Sequence, residues 1–108
     1  MAKFTFNLTP RDVPLVHTDH RSIATKIPVP ESLSLLEEIK LYESSNALEQ
    51  LPVVWDRAVN YQIFDEWGNA WIDFTSSIFV TNSGHANEEI IARINELIAK
   101  PLLHSYYY

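Results

Sequence analysis

His17, Asp19 and His20 fall within four residues of one another, and two imidazoles with a carboxylate are a donor set that could hold a metal ion. His17 and His20 would converge only on a helix, and the neighbouring prolines Pro10, Pro14, Pro28 and Pro30 argue against one there. Solvated residues of an extended segment, with no metal, are the expectation. Asp56, Asp65 and Asp73 each lie at or near the end of a predicted strand. A glycosidase needs two carboxyls facing one another across a cleft, with one pKa raised by burial, whereas strand-end aspartates more often cap turns. Ser76 and Ser77 could act as nucleophiles with His85 or His104 as base, yet neither a Gly-x-Ser-x-Gly elbow nor an orienting acid accompanies them. With 2 glycines in the chain there is no phosphate cradle, and with 0 cysteines no thiol nucleophile, disulfide or thiolate metal site.

These side chains need elements to position them. From Met1 to Pro30 the chain has four prolines and no sustained apolar period, which predicts an extended N-terminal arm lying on another surface or a disordered tail. Pro30 suits a first helical position with Glu31 in the first turn. Leu35, Leu36, Ile39 and Tyr42 then share one face of a helix of about three turns ending near Ser44-Ser45-Asn46.

Val53–Ala58, Tyr61–Asp65 and Ala70–Phe74 are dense in aromatic and β-branched residues and predict a three-stranded antiparallel meander. The first break carries Asn60 and the second Gly68, the residue types that best tolerate positive φ. Trp55, Tyr61, Phe64, Trp71 and Phe74 are expected in the core or in cross-strand pairs, and Trp67, in a turn, is expected to be exposed. Asn87 is a predicted N-cap. Glu88 and Glu89 follow it at the positive end of a helix dipole, Ile90, Ile91, Ile94, Leu97 and Ile98 form one apolar stripe, and Pro101 ends the helix. The predicted fold class is α+β: an extended arm (1–30), a helix, a β-meander and an amphipathic helix (31–108).

The 14 acidic residues outnumber 8 basic ones, and the basic ones are scattered, so no positive patch exists to displace counterions from nucleic acid. No apolar run approaches the ~20 residues of a membrane span, and no secretory signal is visible. A cytoplasmic protein without nucleic-acid or membrane partners is expected.

The ordered set Trp55-Asp56, Asp65-Glu66-Trp67-Gly68-Asn69, Trp71-Ile72-Asp73-Phe74, Ser76-Ser77-Ile78 and Asn82-Ser83-Gly84-His85 resembles the N-terminal signature of the class III aminotransferases. These are the pyridoxal-phosphate (PLP) enzymes that include the acetylornithine, ornithine and 4-aminobutyrate transaminases. The resemblance covers roughly Leu51 to Tyr108, including the helix and the Leu103-His104-Ser105 ending. Asn60 stands where the family has a glycine, Trp67 where it has an acidic residue, and Asn87-Glu88 where it often has His-Pro.

The resemblance implies part of the small domain of a PLP fold-type I enzyme, with Ile78 at the mouth of the substrate pocket and Phe79 beside it. A buried strand is the alternative for both residues. It also implies docking on the remainder of the aminotransferase chain and on a second subunit of a homodimer, and an amine or amino acid as substrate. PLP would serve the full-length enzyme, since Lys3, Lys26, Lys40 and Lys100 lack the family's cofactor-lysine context and a transaminase needs that lysine. The 108-residue chain is therefore expected to bind no PLP and to be inactive alone. The rival expectation is a free-standing interaction module that uses the aromatic hairpin and Tyr106-Tyr107-Tyr108 to bind a protein or carbohydrate.

Overall fold

The computed structural model describes residues 6–42 and 51–100. The expected helix end at Ser44-Ser45-Asn46, the stop at Pro101, His104 and the terminal tyrosines lie outside them.

The described chain is α+β, built on an antiparallel five-stranded sheet of order β1-β2-β5-β4-β3. Its centre is the predicted meander: β3 (Arg57–Val59), β4 (Gln62–Phe64) and β5 (Ala70–Ile72). The strands are shorter than expected. Val53 to Asp56 stay outside the ladder except for the Asp56 amide, which donates to the Phe64 carbonyl at 2.8 Å. Register follows the two turns, with Ala58 opposite Ile63 and Ile63 opposite Trp71. Asn60 takes φ 51° and Gly68 φ 90°, as the turn chemistry requires.

The arm departs from expectation. It folds back on its own chain as a long hairpin, closed at its base by reciprocal backbone bonds of 3.1 Å between Arg11 and Ile27. Its strands β1 (Val16–His17) and β2 (Ser22–Ile23) pair with each other, and Ser22 pairs with Ala70 of β5. Two-residue strands are too short to show a period of two, and the prolines around them are the stronger signal. At the hairpin tip Thr18 Oγ1 accepts the Arg21 amide at 2.9 Å, and Gln62 Nε2 donates to the His20 carbonyl at 2.9 Å.

A 3₁₀ turn at Pro30–Ser32 leads into helix α1 (Leu33–Tyr42). Leu33, Leu36 and Ile39 are half-buried on its inner face, while Leu35 and Tyr42, expected on that face, are exposed. Helix α3 (Glu88–Ile98) starts at Asn87, whose Oδ1 accepts the Glu89 and Ile90 amides at 3.1 and 3.2 Å.

Among the described residues the core is small: Val29, Ile63 and Ala70, with buried Ser32, Asp65 and Asn69. Phe74, expected to pack, is 90% exposed. Phe64 instead receives the guanidinium of Arg57 over its ring at 3.9 Å. Trp67 corrects another expectation. It is half-buried and lines a cleft of about 290 Å³ with Glu31, Leu35 and Trp55.

Candidate functional site

Residues 73–85 leave the sheet after β5 and return to it. The Asp73 amide donates to the Tyr61 carbonyl at 2.7 Å, and the Asn60 and His85 backbones exchange bonds of 2.9 and 2.7 Å. Gly84 permits that return, because its φ of 87° is backbone that a residue with a Cβ rarely adopts. Both ends of the excursion are thus fixed to the β3–β4 turn.

Inside the loop, His85 Nε2 lies 2.7 Å from Asp73 Oδ2, and the two side chains are 10% and 4% exposed. Asp73 Oδ1 accepts the Thr75 amide and hydroxyl, both at 2.8 Å. Burial pushes the Asp73 carboxyl pKa upward, but the bonds from His85 and Thr75 outweigh it and hold the group at about 2. An ionised carboxylate only accepts, so His85 Nε2 carries the hydrogen and donates it to Asp73 Oδ2. The Trp55 indole and the imidazole form a T-shaped pair at a centroid distance of 6.0 Å.

Between Thr75 and Thr81 the backbone makes a single left-handed turn, α2 (Ser76–Phe79). Ser76, Ser77, Ile78 and Phe79 have φ of 48°, 50°, 57° and 69°. Each such non-glycine residue costs roughly 1–2 kcal/mol, and a β-branched one is the least suited. The Thr75 carbonyl accepts the Ile78 and Phe79 amides at 2.9 and 3.4 Å. Ile78, Phe79 and Val80 are about four-fifths exposed on it, so the alternative of a buried strand is overturned. No glycine or asparagine marks the turn, which is why the sequence concealed it. Beside it runs a cleft of about 270 Å³ lined by Tyr61, Asp73, Ser76, Thr81 and His85 among others. Thr81 Oγ1 is buried and left unsatisfied among the described residues.

The other candidates separate. Asp65 is the turn cap of the β4–β5 hairpin: Oδ1 accepts the Trp67 and Asn69 amides at 2.9 and 2.8 Å, and Oδ2 accepts Asn69 Nδ2 at 2.6 Å. Asp65 and Asp73 therefore sit at opposite ends of that hairpin and face no common cleft, and Asp56 is exposed. Neither Ser76 nor Ser77 hydrogen-bonds His85, whose Nε2 is taken by Asp73. His17, Asp19 and His20 are exposed, with His20 Nδ1 2.7 Å from the Tyr61 hydroxyl. No group of three or more potential metal ligands exists among the described residues. No local sequence signal marks the Asp73–His85 pair, whose members lie 12 residues apart.

The arrangement is a polar clamp presenting an apolar turn. Comparison with known proteins supplies its context. The chain is 41% identical over 49 residues to the 5-aminovalerate aminotransferase of Pseudomonas aeruginosa, covering 45% of this chain and 12% of that protein. It is 34% identical over 87 residues to the probable mitochondrial acetylornithine aminotransferase of Schizosaccharomyces pombe, covering 78% and 19%. It is 32% identical over 76 residues to the mitochondrial ornithine aminotransferase of Arabidopsis thaliana, covering 70% and 16%. The chain is similar to a segment of these aminotransferases.

This aminotransferase-like segment spans less than a fifth of the length of each of these relatives. No family model matches it, and no solved structure does. Among its described residues no helix is long and apolar enough to cross a membrane. Lys26 Nζ lies 3.3 Å from exposed Asp12, and the carboxylates of Asp65 and Asp73 are committed to the bonds above.

Proposed function

We propose that this chain is the N-terminal segment of a PLP-dependent class III aminotransferase, which moves an amino group between an amine or amino acid and a 2-oxo acid. Residues 31–108 form the N-terminal part of its fold-type I small domain, with residues 1–30 as the arm. The observation that carries this reading is the similarity to several aminotransferases over as much as 78% of the chain. In support, the turn that bears Ile78 and Phe79 projects both side chains outward, where they can meet a group supplied from elsewhere.

In this reading Ile78 and Phe79 bind substrate by lining the pocket entrance, and Ile78 shapes it for the carbon chain of the amine. The exposed stripe of α3 docks on the remainder of the enzyme and on a second subunit of a cytoplasmic homodimer. When bound in the complete enzyme, PLP supplies the electron sink for the amino-group transfer. This chain contributes a wall and a docking face, holds no PLP and is inactive alone.

Sequencing the reading frame beyond Tyr108 tests the assignment. A large α/β region with a cofactor lysine is expected, and a frame without one overturns it. Turnover of an amine and a 2-oxo acid by the purified 108-residue chain would refute its inactivity.

A further inference from the structure

The left-handed turn Ser76–Phe79 needs something to hold it. Backbone of this kind persists where its surroundings over-determine it. Apolar packing does not do so here, because Ile78, Phe79 and Val80 are 80%, 79% and 80% exposed. The contacts that remain are polar: the Ser76 carbonyl accepts the Val80 and Thr81 amides at the end of the turn, and those at its start lead back to one carboxylate. Asp73 is tied to the sheet by its own amide, to His85 through Oδ2 and to Thr75 through Oδ1. His85 is tied in turn to Asn60 by two backbone bonds. Thr75, so fixed, offers its carbonyl to the amides of Ile78 and Phe79.

We propose that Asp73 is the positioning residue for Ile78: gripped between His85 and Thr75, its carboxylate fixes the Thr75 peptide that starts the left-handed turn and thereby sets the direction of the Ile78 side chain. This rests on the reading of Ile78 as a wall of the substrate entrance and identifies what holds that wall in place. Neither Asp73 nor His85 need touch substrate. The carboxylate acts through backbone geometry, so a shape-preserving change that removes its acceptors should release the turn and leave the sheet intact.

Nuclear magnetic resonance on the isotopically labelled chain tests this. In the wild type, Ser77 and Ile78 should show the strong intraresidue amide-to-α-proton contact that positive φ produces. Asp73→Leu should lose it while the Ile63 and Trp71 signals of the sheet stay unchanged, and Asp73→Asn, which keeps an acceptor for Thr75, should restore it. A folded Asp73→Leu chain that retains the contact overturns the proposal. If that variant does not fold, amide exchange in the wild type decides. Protection of the solvent-facing Thr75 and Ile78 amides is expected, and exchange at the unfolded-chain rate at Thr75 overturns the proposal. No readout involves amino-group transfer, so an unchanged amine preference on altering Ile78 would sink the pocket assignment and leave this result standing.

Discussion

Asn69 Oδ1 accepts the Ala24 amide at 2.7 Å, joining the β4–β5 hairpin to the returning strand of the arm across 45 residues of sequence. The same amide group donates to Thr25 Oγ1 at 2.8 Å and to Asp65 Oδ2 at 2.6 Å, and the residue is 1% exposed. One side chain thus satisfies groups on both halves of the sheet.

Replacing it should be costly. Asn69→Ala strands Asp65 Oδ2 and the Ala24 amide, and a buried polar group without its partner costs about 1–3 kcal/mol. A loss of at least about 2 kcal/mol is expected in urea unfolding, with amide exchange accelerated at Ala24 and Thr25. An unchanged midpoint would show that water replaces these bonds.

Gly84→Ala should destabilise by roughly 1–2 kcal/mol, because an L-residue is placed in left-handed backbone. The added Cβ would meet Asn60 Cα at 3.4 Å, an ordinary contact distance, so the cost lies in the backbone. The thermal midpoint should fall and the His85 amide should lose protection; a midpoint at or above the wild type would contradict the φ of 87°.

Acid should weaken the clamp in a defined window. The Asp73 carboxyl is depressed from 3.8 to about 2 in the folded chain, so the unfolded chain takes up its proton first as pH falls. The stabilisation is complete above pH 3.8 and is lost as pH drops towards 2. Its size is on the order of 2 kcal/mol, since one pKa unit corresponds to about 1.4 kcal/mol. Unfolding free energies of wild type and Asp73→Asn should therefore converge at the acid end. A gap independent of pH would assign the effect to shape alone.

Ile90, Ile91, Ile94, Leu97 and Ile98 of α3 are each 44–57% exposed. So much apolar surface predicts self-association, with binding of a hydrophobic dye. The paired changes Ile91→Lys and Ile94→Lys should reduce both, as read by sedimentation and dye fluorescence. A wild type that stays monomeric without dye binding would remove the docking role of this helix.

Much of this architecture was legible in the residues. Asn60 and Gly68 announced their turns because few other residues accept positive φ, and Asn87 announced the start of α3 because its side chain completes the helix's free amides. Other features were hidden for physical reasons. The arm pairs through backbone atoms in two-residue strands, which leave no side-chain period to detect. The left-handed turn is written in Ser76-Ser77-Ile78-Phe79, residues that do not favour such backbone, and is held by Asp73 from outside. That carboxylate meets His85 only because the intervening loop doubles back, and no local signal encodes the meeting.

The place of β2 beside β5 has a consequence for how the polypeptide must be handled. With the arm seated, the backbone of β5 is an interior member of the sheet; a proteolytic cut or late initiation that removed everything before Ile27 would turn it into an open border. Unpaired borders recruit strands from other molecules, so such a trimmed product should precipitate or fibrillise, and the β1–β2 hairpin acts as a guard against that fate.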